Sequence, residues 1–451
     1  MATTYLTRTP SSTGNQQIFT FSFWIKRSSL GNGGTGETIF SQYYTADDDQ
    51  LRIEFTSNDE FRLYNSAGSA DYINLKTNRR FRDTSAWYHI VCAFDTTQST
   101  ETNRTKIYVN GVQETSFNAS GLQYPILNRL IDVSEQTPQL IGVKYSGSYN
   151  TYFNGLMSYF AFVDGTQELP TIFGETDSTT GEWEIKTSIT PSVAWGTNGY
   201  LVLKNGNSVT DQSGNANNFT VGGGTLTNTE DNPSNVFATL NPLDASRLSN
   251  TGNTFSNGNL TVTDGSSNYL LAQSTLAATT GKFYWEVKIN STGSDNSSGL
   301  GIVDVDNFTR SDGAANSAYG WIYAPSGDKR HNGTSTSYGD TYAANDIIGI
   351  ALDLTNGFLY FSKNGTWQNS GNPESGASGT NAAYGSISST IAAHAYDGSS
   401  SIAHEYSFNF GNGFFGTTAI SSEGTNASGI GKFEYDVPTG YTALSTKGLN
   451  L

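Results

Sequence analysis

The chain has 451 residues, with 24 Lys and Arg set against 40 Asp and Glu for a formal net charge of −16. That acid excess excludes a sequence-independent grip on nucleic acid, which needs a cationic face, and it disfavours an anionic membrane surface. Only 35% of residues are apolar, so burial has to come from the 25 Tyr, 25 Phe and 7 Trp, while 49 Gly with many Asn, Ser and Thr call for short strands and turns rather than helices.

Cys92 is the only cysteine, which rules out a disulfide within the chain and a thiolate metal site. Its place in WYHIVCAFD predicts a core residue. No stretch of about 20 apolar residues is present to span a bilayer, and MATTYLTRTP lacks the apolar run of a signal peptide. These features lead to the expectation of a protein folded in a cytoplasm, without nucleic acid and without membrane insertion.

In chain order, residues 17–25 (QIFTFSFWI) alternate Phe19, Phe21 and Phe23 with Ile18, Thr20, Ser22 and Trp24, so both faces of this strand are predicted to be buried. Short alternating strands follow at 39–41, 51–55 and 61–64, then WYHIVCAFD at 87–95, KIYVNG at 106–111, 139–143 and 153–164. PTIF at 170–173 reads as one short helical turn. Residues 200–203 close this set. Gly222-Gly223-Gly224 and Asp231-Asn232-Pro233 break the pattern, because neither glycine runs nor Asn-Pro favour regular structure. The expected organisation is a domain over 1–221, a linker over 222–241 and a second domain over 242–451 with a C-terminal tail.

The second domain centres on residues 345–367, NDIIGIALDLTNGFLYFSKNGTW. Asn356-Gly357 and Asn364-Gly365 supply the positive φ that tight hairpin turns require. The strand between them is aromatic on both faces and so belongs inside a sandwich. GKFYWEVKI at 281–289 supplies a partner strand that carries Trp285. The predicted class is all-β, two antiparallel jelly-roll-type β-sandwiches in series. FDTTQSTETNRTKIYVNG and LDLTNGFLYFSKNG share a strand, Asp, turn, aromatic strand and Asn-Gly, which marks two members of one sandwich class rather than a tandem repeat.

FSFWI, WYHIV, KIYVNG and FNGLMSYFAFVDG, in that order, resemble the laminin-G-like or concanavalin-A-like jelly roll over roughly residues 5–220. WEV, Gly299-Leu300-Gly301-Ile302, the pair Tyr319 and Trp321, and GIALD with its Asn-Gly hairpin resemble the SPRY family over roughly residues 268–415. DNPSNVFATLNPLD at 231–244 and VPTGYTALSTKGLNL at 437–451 resemble segments found around such modules in tailed-phage structural proteins, notably marine ones. The resemblance implies a non-enzymatic virion protein assembled in the host cytoplasm, in the manner of a tail fibre or receptor-binding part. The alternatives are a capsid-decorating or head-fibre protein and a glycan-cleaving tailspike. Partners implied are other virion proteins, host surface glycan or another receptor, and further copies of the chain.

The residues offer little chemistry. His89 reads as a sheet residue, and His394 and His404, ten apart, match no standard zinc spacing. No nucleophile elbow is present. Glu175 with Asp177 and Glu434 with Asp436 come nearest to a glycosidase carboxylate pair, but both lack a third carboxylate and apolar interleaving. Asp47, Asp48 and Asp49 form a loop tip that reads either as a calcium ligand set or as a solvated turn; Asp304, Asp306 and Asp312 read the same way. No other cofactor is implied. Loops rich in Tyr, Asn, Ser and Gly suit shallow polar binding, and Tyr43, Tyr44 and the run 145–152 (YSGSYNTY) are of this kind. So is the segment 321–342, expected to be a rim loop presenting Trp321, Tyr323, Tyr338 and Tyr342 beside Lys329, Arg330 and His331. The alternative is that these aromatics pack inward.

Overall fold

The computed structural model describes residues 3–31, 34–43, 50–68, 70–189, 193–204, 206, 208–245, 253–264, 270–292, 298–309, 313–398 and 403–451. The fold is all-β, with sandwich-type sheets in series. It divides into two compact units, Met1–Asn228 and Thr229–Leu451.

In the first unit, a seven-stranded sheet runs edge to edge through Thr220–Gly223, Tyr5–Arg8, Gln139–Ile141, Glu37–Tyr43, Gln50–Phe55, Glu60–Ala67 and Ala70–Arg80. The facing six-stranded sheet runs Tyr200–Val202, Gly155–Asp164, Ile18–Arg27, Tyr88–Asp95, Thr105–Val109 and Val112–Glu114. All named pairings are antiparallel. Alternation decides which side chain goes where. Phe19, Phe21, Phe23 and Ile25 enter the core between the sheets together with Cys92. The outer face of the six-stranded sheet is also dry, because Phe173, Ile189, Val193 and Trp195 lie over Val91, Ala93, Ala161 and Leu201. Burial drives the Cys92 thiol far above its usual range.

The second unit repeats this plan. One sheet orders Thr254–Ser256, Thr261–Thr263, Glu405–Asn409, Lys282–Ser291, Ile347–Asp353, Phe358–Lys363 and Thr366–Trp367, with Thr442–Ala443 parallel to Lys282–Ser291. The other orders Leu270–Ala278, Ile391–Asp397, Ser298–Asp304, Gly320–Tyr323, Asp328–His331 and Thr334–Ser337. Trp285, Ile350, Leu359 and Phe361 fill the space between the sheets. The other face of the 358–363 strand packs Tyr360 and Phe358 against Tyr284, Phe433, Val437 and Tyr441. Its second cover is therefore the C-terminal segment and not another sheet.

Two of the Asn-Gly turns form as expected, but Asn356-Gly357 does not: only Gly357 has positive φ, and a four-residue loop joins strands paired at Asp353↔Phe358. Asn110-Gly111 and Asn364-Gly365 all have positive φ, at 48°, 78°, 49° and 80°. They join strands paired at Val109↔Val112 and Lys363↔Thr366, the geometry of two-residue type I′ hairpins. PTIF forms a single 3₁₀ turn over Pro170–Ile172.

The 222–241 linker does not hold. Gly222 and Gly223 belong to a strand paired with Tyr5–Arg8, and they are glycines because a Cβ on either would run into the Tyr5 ring. Phe237, Ala238 and Leu240 are buried in the second unit. A glycine run and an Asn-Pro step read locally as breaks, but close approach and tertiary burial override that reading.

Glu286 fastens the C-terminal cover. Its Oε1 accepts from the Tyr435 N–H at 2.8 Å and its Oε2 from the Glu434 N–H at 2.9 Å, while the Tyr284 hydroxyl donates to Oε1 at 3.1 Å. Burial outweighs these bonds and raises its carboxyl from 4.5 to about 7.

Two outcomes follow. Replacing Trp285, which is fully buried, with Ala should cost about 3–5 kcal/mol in denaturant unfolding of the second unit. Between pH 4.5 and 7 the folded state holds a proton on Glu286 that the unfolded chain has released. Stability of the second unit should therefore fall as pH rises through that window, with a slope of up to about 1.4 kcal/mol per pH unit from this group. Comparing wild type with Glu286→Gln across the window isolates the effect, and equal slopes would assign the pH dependence elsewhere.

Candidate functional site

Five tyrosines gather on the outer face of the seven-stranded sheet. Tyr5 and Leu140 point away from the core that takes Leu6 and Ile141, and Tyr5, Leu140 and Val143 form a small buried base there. The ribbon Lys144–Tyr145 with Tyr149–Asn150 crosses this base. It is tied down by the Thr38↔Tyr152 bridge and by the hydroxyls of Thr38 and Thr151 at 2.8 Å. Tyr43 stacks on Tyr145 with centroids 4.7 Å apart, Tyr145 meets Tyr149 edge-on at 5.1 Å, and Tyr149 stacks on Tyr5 at 4.7 Å. Tyr152 adjoins Tyr5 at 6.3 Å. Tyr149 is 43% exposed, while Tyr5 is 8% exposed. A hydrogen bond with Tyr149, added to burial, pushes the Tyr5 phenol up to about 12, so its proton stays on. The result is a row of rings with apolar faces and hydroxyl edges, held on rigid backbone.

Of the residues singled out in sequence here, Tyr43, Tyr145, Tyr149 and Tyr152 are brought together. Tyr44, Asp47, Asp48, Asp49 and Asp312 lie outside the described residues. Sequence reasoning passed over Tyr5; its signal was the alternation of Tyr5 with Leu6 opposite a glycine run.

The segment 321–342 corrects the expectation of a rim loop. It is the edge of the six-stranded sheet, with strands Gly320–Tyr323, Asp328–His331 and Thr334–Ser337. Tyr323, Tyr338 and Tyr342 are core residues packed around Phe361. The Tyr342 hydroxyl donates to the Tyr323 carbonyl at 2.9 Å, and the Tyr323 hydroxyl to the Asp340 carbonyl. Lys329 Nζ donates to the Ala383 carbonyl at 2.7 Å. His331 stacks on Trp321 at 5.2 Å, and its Nδ1 lies 2.8 Å from the Gly320 carbonyl. Arg330 pairs with Ile322 in the ladder. The three tyrosines are therefore withdrawn from any platform, and of the aromatic rings expected here only the stacked Trp321 and His331 stay partly exposed. Gly, Ser and Thr suggested a loop, but at a sheet edge their side chains face solvent while the backbone pairs.

Ser22 and His89 approach to 2.9 Å through Oγ and Nε2, which resembles a nucleophile and its base. The protonation is wrong for that. Trp183 Nε1 can only donate, and it donates to His89 Nδ1 at 3.0 Å. The imidazole proton therefore sits on Nε2 and points at Ser22. Burial lowers His89 to about 3, so the ring stays neutral. Glu175 pairs with Lys186 at 3.7 Å, and Asp177 accepts the N–H groups of Thr179 and Thr180. Glu434 and Asp436 hold Ser421 and Thr425. Asp304 and Asp306 fasten turn groups, including Asn307 at 2.9 Å and Thr390 at 2.6 Å.

One polar cluster was invisible in sequence. Asp264, Asp397 and His404 come from three segments and are buried, with His404 Nδ1 3.2 Å from Asp397 and 3.6 Å from Asp264. Burial alone would lower the imidazole, but the two carboxylates outweigh it and raise it to about 9. The separations of 133 and 7 residues along the chain match no motif.

Comparison with known proteins agrees with this architecture. Residues 2–172 match a family model described as the concanavalin A-like lectin/glucanases superfamily, and residues 282–381 match the SPRY domain. Ran-binding protein 9 of Danio rerio is 35% identical over 95 residues, which cover 20% of this chain and 15% of that protein. The ATP-dependent RNA helicase DDX1 of Xenopus laevis is 32% identical over 93 residues, 21% of this chain and 12% of that one. The chain thus matches only a small part of the length of these relatives. The solved SPRY domain of human HERC1 is 16% identical with a TM-score of 0.29, covering 38% of this chain and 96% of that one. The chain carries a concanavalin A-like jelly-roll domain followed by a SPRY domain.

Proposed function

We propose that the chain is a non-enzymatic adhesive protein that uses the tyrosine row of its first unit to hold glycan. The tyrosine row is the observation that carries this reading. Aromatic faces stack on the C–H faces of sugar rings, and phenol edges exchange hydrogen bonds with sugar hydroxyls. Rings fixed by stacking lose little conformational freedom when a ligand arrives. Weak single-site contacts of this kind gain strength by repetition, which suits a multicopy particle. The resemblance of residues 231–244 and 437–451 to segments of tailed-phage proteins supports placement on a virion, as a tail fibre or receptor-binding component meeting the host surface. The neutral, wrongly protonated Ser22–His89 pair supports a binding role over a hydrolytic one.

A second reading, a shell-bound decorating or head-fibre protein, is favoured by Ile126, Leu127 and Leu130, which are 60%, 49% and 56% exposed. Their backbone is held by Arg104 at Pro125 and by Thr96 at Asn128 and Arg129. A rigid apolar loop suits a protein partner.

The test is binding of the purified chain to host cells and to isolated surface glycan, with a Tyr145→Ala, Tyr149→Ala double variant. Stacked rings of this kind contribute on the order of 1 kcal/mol each, so the variant should bind about tenfold or more weakly with unchanged circular dichroism. Equal binding by a folded double variant would remove the tyrosine row from the reading. Antibody labelling of virions separates the two placements: label on the tail supports the first, label on the head the second.

A further inference from the structure

We propose that Asp264, Asp397 and His404 form a structural site for one divalent cation of the zinc class in the second unit. The ligand atoms of the three residues all lie within 4.8 Å of one another, and each side chain is fully buried. A tetrahedral ion bound at about 2.0–2.1 Å sets its ligands about 3.4 Å apart. The 3.2 and 3.6 Å separations of His404 Nδ1 from the two carboxylates bracket that edge.

The charges point the same way. With a protonated imidazole the three groups sum to −1, a sum that costs free energy inside a protein. With a neutral imidazole and a divalent ion they sum to zero. Asp264 Oδ2 is buried, and its nearest partner, His404 Nδ1 at 3.6 Å, is too far for an ordinary hydrogen bond, whereas its Oδ1 accepts the His404 N–H. The Asp264 N–H in turn donates to the His404 carbonyl at 3.0 Å. This reciprocal backbone clamp fixes two of the ligands, as groups behind a metal ligand do. Asp397 ends the Ile391–Asp397 strand and is paired with Ser298 and Leu270 on either side. One imidazole with two carboxylates favours zinc or a similar borderline ion over calcium, which takes oxygen ligands. The site would join the two sheets of the sandwich, since Asp264 and His404 flank strands of one and Asp397 lies in the other.

Because the cluster is buried, the ion has to enter during folding. Tag-free full-length chain is unfolded in denaturant, refolded in Zn²⁺ or in EDTA, and desalted. The zinc-refolded protein should retain about one equivalent of metal and should melt at a higher temperature than the EDTA-refolded protein. Refolding with Co²⁺ should give the visible absorption of a tetrahedral ion. Asp264→Asn and His404→Gln should each abolish retention while tyrosine and tryptophan circular dichroism of the first unit persists. Wild-type protein that refolds but retains no zinc or cobalt overturns the proposal, whatever the variants do. Full retention by either folded variant overturns it as well, by placing the ion elsewhere.

Discussion

Each unit is built on the need to keep one of its two sheets dry on both faces. A sheet in a simple two-layer sandwich buries one face and wets the other. Here the six-stranded sheet of the first unit turns Val91, Ala93, Ala161 and Leu201 outward, and the strand Phe358–Lys363 of the second turns Phe358 and Tyr360 outward, so each unit must recruit a third layer. The first uses Phe173, Ile189, Val193 and Trp195, and the second uses Phe433, Val437 and Tyr441. Neither cover is a full sheet, the first containing only the two-stranded ribbon Gly174–Thr176 with Trp183–Ile185, so its backbone groups cannot all be satisfied by a ladder. Polar side chains take over that role: Glu286 holds the N–H groups of Glu434 and Tyr435, and Asp164 holds those of Asn15 and Asn198.

That arrangement also explains why the buried ionisable groups are structural in character. His89 sits beneath the first cover between the rings of Trp24 and Trp183. Arg27 is fully buried yet meets Glu37 and Asp59 at 3.1 Å and the Phe81 carbonyl at 2.7 Å. Burial raises the Glu37 carboxyl against the pull of Arg27. Breaking one partner of such a set leaves the others uncompensated, which is costly even where the intact set contributes little. The tyrosine row, of which Tyr149 is the most exposed ring, differs, since its rings rest on one another and not on charges.

Much of the fold was legible in sequence because its strongest signals are local. Alternating phenylalanines at 19, 21 and 23 and the Asn-Gly turns at 110 and 364 depend only on residues a few positions apart. The candidate site was half legible: YSGSYNTY announced exposed tyrosines, but Tyr5 joins them across more than a hundred residues of chain. The 321–342 segment misled because Ser, Thr and Gly have the composition of a loop, while pairing at a sheet edge is decided by neighbours the sequence does not name. Tyr338 and Tyr342 turned inward because Phe361 and Tyr323 offered them a dry face. Asp264, Asp397 and His404 left no local trace, since residues that meet through strand order alone leave no spacing to read.

Strand order in the first unit has a kinetic consequence. Tyr5–Arg8 pairs on one side with Thr220–Gly223, in the register Leu6↔Val221. In the second unit Phe237 is bridged to Ser445. Each unit therefore closes by joining its own beginning to its own end. A chain emerging from the ribosome cannot complete either sheet until the last strand of that unit is free, and contacts of such long sequence separation are slow to form. Until then the unpaired backbone edge of the first strand is available to neighbouring chains, which makes synthesis the stage at which this protein is most prone to wrong association. Once closed, the two ends of each unit lie side by side. That is the geometry in which a domain can be inserted, excised or circularly permuted as a cassette without disturbing its interior.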